Sequence, residues 1–137
     1  MLLALLGVLA AAGVGVAWRR GDGTTKRGSG ERIRPAEVAL AEDAFGPRGT
    51  LLLFTADHDV RSVAVREVLE EAAAQHAGVR IAPVDLGRRG DLAGRYAVTT
   101  IPTVFVLDGG GLLRFRMKGT ARREDVLAAL ESVAPSP

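Results

Sequence analysis

Tyr96-Ala97-Val98-Thr99-Thr100-Ile101-Pro102-Thr103-Val104-Phe105-Val106-Leu107-Asp108-Gly109-Gly110 is the stretch on which the fold of this chain turns. Thr103 to Asp108 is rich in β-branched and aromatic residues and stops at Gly109-Gly110-Gly111, after which Leu112 to Lys118 forms a second run. Two such runs about a glycine turn predict a β-hairpin. In the second arm Leu113, Phe115 and Met117 are expected on one face and Arg114, Arg116 and Lys118 on the other. That pattern suits a strand near a sheet edge, where charge discourages further pairing. The glycine triplet is no phosphate loop, since it lacks the lysine and the following helix that such a loop needs.

Upstream, Asp91 to Tyr96 reads as a short helix and Val79 to Asp85 as a strand. Val60 to Ala77 repeats apolar residues at helical spacing (Val60, Val63, Ala64, Val68, Leu69, Ala72) and meets Gly78, a natural helix end. Thr50 to Thr55 is an apolar run of the buried-strand kind. Pro35 to Gly46 opens with a proline suited to a first helical turn and stops at glycine, which predicts one short helix. Downstream, Arg122 to Val133 puts Val126, Leu127, Leu130 and Val133 on one helical face. Strands joined through helices run parallel, whereas a hairpin runs antiparallel. The expected fold class is therefore α/β, a mixed β-sheet flanked by helices.

From Pro35 to Val133 this order of elements, with the stretch quoted above, resembles the thioredoxin-like family, especially membrane-anchored bacterial thioredoxin-domain proteins. Tyr96-Ala97-Val98 stands where the family has Tyr-Gly-Val, and Ile101-Pro102-Thr103 matches its Ile-Pro-Thr. The resemblance implies a cis peptide bond at Pro102 and, at Ile101, a backbone offered to a bound peptide. Aligned from Phe54, the family's Cys-x-x-Cys falls on Asp59-Val60-Arg61-Ser62, so that both cysteines of the CxxC motif are replaced. Its buried acid falls on Leu53. The resemblance thus implies no catalytic residue, with Asp59 and Ser62 as degenerate CxxC positions, and a peptide-binding set of His58, Thr100, Ile101 and Pro102.

The chain contains no cysteine at all, which excludes disulfides, thiolate nucleophiles and Cys-ligated zinc. An aspartate at the start of a helix accepts backbone hydrogen bonds, so Asp59 is expected as an N-cap worth about 1 kcal/mol. A nucleophilic Ser62 would need a base. His58, with Asp57 and Asp59, completes a Ser, His and Asp set in sequence only, because such sets are recognised by mutual geometry and an oxyanion hole. The same three residues carry metal-ligand chemistry, but consecutive side chains seldom converge on one ion, and no metal or other cofactor is expected. His76 is expected on the surface, beside the negative end of its helix.

The 137 residues, 47% hydrophobic and 25% charged, fit one globular domain. Met1 to Trp18 carries no charged side chain and, as a helix, spans about 26 Å, enough to cross at the short end of the range. A cleaved signal peptide normally has basic residues before its apolar run; here Arg19 and Arg20 follow it. The expectation is one N-terminal transmembrane helix, and the positive-inside rule places the domain on the cytoplasmic side. From Arg19 to Arg34 six basic residues face two acidic ones, in a Gly- and Ser-rich stretch expected to be a flexible linker. From Pro35 onward twelve basic residues meet fourteen acidic ones, and no basic, aromatic-interleaved footprint for nucleic acid is visible.

The expected organisation is therefore an anchor (1–18), a basic linker (19–34) and a thioredoxin-like domain (35–137). The expected function is that of a single-pass, membrane-tethered, redox-inactive module binding a protein or peptide partner. The alternative is a thiol-disulfide pathway protein that uses a sulfur supplied by its substrate or by a low-molecular-weight thiol. A third possibility is a degenerate relative that holds a membrane complex together without using the groove.

Overall fold

The computed structural model describes residues 24–135. Five strands make one sheet, β1 (Thr24–Arg27), β2 (Gly49–Thr55), β3 (Val79–Asp85), β4 (Thr103–Asp108) and β5 (Leu113–Lys118), in the spatial order β1-β5-β4-β2-β3. Three helices accompany it, α1 (Val60–Ala74), α2 (Gly90–Arg95) and α3 (Arg123–Val133). α1 returns the chain across the sheet, so β2 and β3 are parallel; β4 lies antiparallel to β2, and β5 to β4. Pro83 is exposed on β3, the edge strand that can tolerate a missing N–H.

The central strand separates two apolar layers by its two-residue period. Leu51 and Leu53 of β2, with Val104 and Val106 of β4, meet Val65 and Leu69 of α1 and Val126 and Leu130 of α3. Leu52, Phe54, Phe105 and Leu107 point the other way, onto Ile33, Val38, Leu92, Tyr96 and Val98. Each fully buried Leu or Phe in these layers stabilises the fold by about 1.5–3 kcal/mol. The same layers hold the ends of β2 and β4 where the candidate site lies.

Four expectations are corrected. Pro35 to Gly46 is not one helix but two single 3-10 turns, Pro35–Val38 and Glu42–Ala44. Ala39 adopts φ 58° and the Leu40 N–H bonds the Pro35 carbonyl (2.9 Å), which closes the first turn and stops propagation. Leu113 leaves the face of Phe115 and Met117 for the opposite layer, because the β4–β5 register shifts between Val106 and Leu107. His76 is buried, and its Nδ1 lies 3.0 Å from the Ala134 carbonyl, tying the end of α1 to the end of α3.

The fourth concerns the expected linker. Thr24–Arg27 is β1, paired antiparallel to β5, so β5 is an inner strand. The chain stays in contact beyond it: Gly28 N–H donates to Arg114 O (2.8 Å), Gly30 N–H to Leu113 O (2.9 Å) and Ile33 N–H to Gly111 O (2.9 Å). A Cβ at Gly28 would stand 2.5 Å from Leu113 O, so that glycine serves close approach. No helix among the described residues is long and apolar enough to cross a membrane, and the expected anchor, Met1 to Trp18, lies outside those residues.

Candidate functional site

The carboxyl end of β2 runs into α1 through Ala56 to Asp59, the place where α/β sheets commonly leave a crevice. His58 turns the chain there at φ 63°, a left-handed conformation tolerated by few side chains. Asp59 then caps the helix as expected, Oδ1 accepting from Arg61 N–H (2.9 Å) and Ser62 N–H (3.2 Å). Two of the helix's free N–H groups are thereby satisfied by a fixed anion.

Ser62 is buried in the first turn, and its Oγ has no hydrogen-bond partner. No base reaches it, so the Ser, His and Asp set is not assembled. Leu53, 2% exposed, lies beneath as an apolar floor. His58, Asp59 and Ser62 line one cleft of about 210 Å³ together with Leu53, Arg66 and Asp85. Among the described residues no three His, Asp or Glu side chains converge as metal ligands.

The Ile101–Pro102 bond is cis, as the resemblance implied. The Pro102 carbonyl accepts from Gly119 N–H (2.8 Å), and Thr103 Oγ1 donates to Thr100 O (2.6 Å), fixing the loop at the start of β4. The segment before it is held by a residue that sequence reasoning missed. Arg116 donates to Tyr96 O (2.6 Å) and Ala97 O (3.1 Å) while its guanidinium lies 4.6 Å from the Phe105 ring centre. Tyr96 packs beside Phe54 and Phe105, and burial pushes its phenol up from the usual range.

A second missed residue links the two halves. Arg61 Nη2 donates to the Ile101 carbonyl at 2.7 Å, so the α1 start is bound to the backbone edge expected to receive a peptide. Arg61 and Thr100 line a separate cleft of about 310 Å³ with Thr24, Lys118, Gly119 and Thr120. The structure therefore brings Arg61, Thr100 and Ile101 together and puts His58 on the other cleft. Val60 and Val63, on the first turn of α1, are 81% and 60% exposed, an apolar surface with nothing over it among the described residues. An alternating-charge reading of β5 could have flagged Arg116; nothing local signals the reach of Arg61 across forty positions.

No family model matches the sequence, and no curated protein matches it. Solved structures do. Chloroplastic thioredoxin z superposes with a TM-score of 0.58 at 18% identity, covering 75% of this chain and 92% of that one. A mutant thioredoxin from Halobacterium salinarum NRC-1 gives 0.56 at 22% identity, covering 66% and 78%. Fasciola hepatica thioredoxin gives 0.54 at 20% identity, covering 64% and 83%. At these identities the likeness establishes a thioredoxin-like fold.

Proposed function

We propose that this thioredoxin-like chain is a membrane-tethered, redox-inactive binding module. Asp59 and Ser62 occupy its two thiol positions, and the groove between the 57–62 loop and Ile101–Pro102 holds an extended segment of a protein partner. The observation that carries the reading is the pairing of the Ile101–Pro102 edge with a cysteine-free helix start, the two joined by Arg61. Exchange of electrons through sulfur requires sulfur, and the chain supplies none. An extended segment can still take backbone hydrogen bonds from such an edge and apolar contact from Val60 and Val63. Met1 to Trp18 serves as the anchor, with Arg19 and Arg20 holding the domain on the cytoplasmic side. Catalysis with a borrowed thiol is not favoured, because Ser62 Oγ has no partner to polarise it.

Arg61 already occupies one lone pair of the Ile101 carbonyl, so an incoming segment shares that oxygen or displaces the guanidinium. A photo-crosslinking amino acid placed in the full chain at Ile101, with Gly110 at the far end of β4 as reference, tests the groove in cells. The expected result is capture of a discrete protein from Ile101 alone, with a yield raised about fivefold by Arg61→Ala, the scale of one hydrogen bond. Equal capture from Ile101 and Gly110 overturns the reading.

A further inference from the structure

Because Thr24 pairs with Lys118, and Lys118 with Thr103 just after Pro102, the chain enters the domain at the groove end of the sheet. The tether between the expected anchor and the first strand is therefore not the sixteen residues 19–34 but the five residues 19–23. Fully extended, it reaches at most about 20 Å from Trp18 to Thr24, where sixteen residues would have allowed about 55 Å. A domain on so short a lead keeps this end close to whatever surface holds the lead.

The surface around Thr24 is basic. The cleft lined by Thr24, Arg61 and Lys118 adjoins one lined by Lys26, Arg27 and Arg116, with Lys118 common to both and no carboxylate in either. None of the five cations is in an ion pair among the described residues; Arg61 and Arg116 spend their donors on backbone carbonyls and keep an uncompensated charge. Register puts Lys26 opposite Arg116, so their charges share one face of the sheet. The hydroxyl residues Thr24, Thr100 and Thr120 stand among the cations. Glu67, Glu70, Glu71 and Glu131 are carried by α1 and α3, which cover the other face.

We propose that the face of β1 and β5 built from Lys26, Arg116 and Lys118, with Arg61 at its rim, docks on the anionic phosphate headgroups of the membrane that holds residues 1–18. The proposal rests on the anchor reading given above. Three things fit this occupant: the reach of the tether, its exit point within the patch, and the sign of the charge against the cytoplasmic leaflet. Within a Debye length of about 10 Å at 0.1 M salt each cation adds to the attraction. Arg61 and Thr100 belong to both groove and patch, so docking holds the groove at headgroup level, where a partner segment comes from a protein at the same membrane.

The absence of cysteine makes single-site labelling of the full chain direct. Thr120→Cys carries a donor dye in the patch and Gly110→Cys carries it at the opposite end; the acceptor is a headgroup-labelled lipid. The chain is incorporated into phosphatidylcholine vesicles and into vesicles of phosphatidylcholine mixed with phosphatidylglycerol, and flotation is recorded in both. The short lead alone sets the transfer from Thr120 on phosphatidylcholine. The expected result is transfer from Thr120 on the anionic vesicles clearly above that level, with no such rise from Gly110, and high salt returns it to the phosphatidylcholine level. In the Lys26→Glu, Lys118→Glu double variant the docked-to-free ratio falls by about fivefold or more per site. The salt titration of the unmutated patch stands even where that variant misfolds.

Equal transfer from the two labels on anionic vesicles overturns docking and leaves the anchor intact. Transfer from Thr120 that is alike on both lipid compositions means that the lead alone accounts for the closeness and the cations make no headgroup contact, which also overturns docking. A chain that floats only on anionic vesicles, with Thr120 closest, upholds docking and refutes the anchor. A chain that floats on neither refutes both.

Discussion

Ala97 adopts φ 53°, the left-handed region in which a Cβ crowds the following carbonyl. It stands where the thioredoxin resemblance has glycine, and Arg116 holds its carbonyl, so the conformation is imposed by the loop before Pro102. Ala97→Gly removes the Cβ penalty at a modest cost in backbone entropy, and the expected gain is about 1 kcal/mol of unfolding free energy. Urea denaturation of the two full chains in the same detergent checks this, and a loss of stability would show that Ala97 makes an apolar contact worth more than the strain. Asp59 belongs at the same scale. Its cap needed only its own side chain and the next three amides, so it was legible in sequence; the Arg61 contact was not, because its partner is brought near only by the sheet.

At the scale of an element, β1 shows how composition misleads. Gly, Ser and Lys in Thr24 to Gly30 look like a solvated spacer, yet these residues lie along β5, and Gly28 is there because Leu113 passes too close for any side chain. Amides of Gly28, Gly30 and Ile33 are hydrogen-bonded to β5 and its turn. In hydrogen exchange they are expected to be protected far above random-coil rates, and Gly28→Ala is expected to cost about 1–3 kcal/mol while deprotecting all three. Exchange of these amides as fast as in an unstructured peptide would return the segment to linker status. The elements from β2 to α3 were legible because each carries its own period or punctuation, with errors of a few residues at their ends. The failed helix at Pro35 to Gly46 has only Val38 fully buried in its first turn, too narrow a face to hold a longer one in place.

For the whole molecule, the question is whether the fold still supports the chemistry that its residues have lost. The Arg61 and Ser62 amides that now bind Asp59 Oδ1 would stabilise a thiolate at the same position. In an insulin-disulfide reduction assay with dithiothreitol, the wild-type chain is expected to add nothing to the uncatalysed rate. The Asp59→Cys, Ser62→Cys double variant is expected to add measurable turnover, limited by the apolar Leu53 beneath the site. Turnover by the wild type would sink the redox-inactive reading. An inactive double variant that oxidises normally to the disulfide would show that the groove itself, closed by Arg61, excludes disulfide substrates.

Sequence by itself determined what this protein cannot do with its own side chains, since an absent thiol is absent in any conformation, and it determined the elements whose hydrophobic period is local. It also carried the capped helix, which is encoded within a few consecutive residues, whereas the cis proline was implied by the family resemblance and not by its neighbours. Only the tertiary structure decided that a glycine-rich stretch is a strand, that Arg61 closes onto Ile101, that His58 and Thr100 line different clefts, and that the chain enters beside the groove. Those facts are pairings between distant segments, and they depend on which strand lies next to which, a quantity that no short window of residues contains.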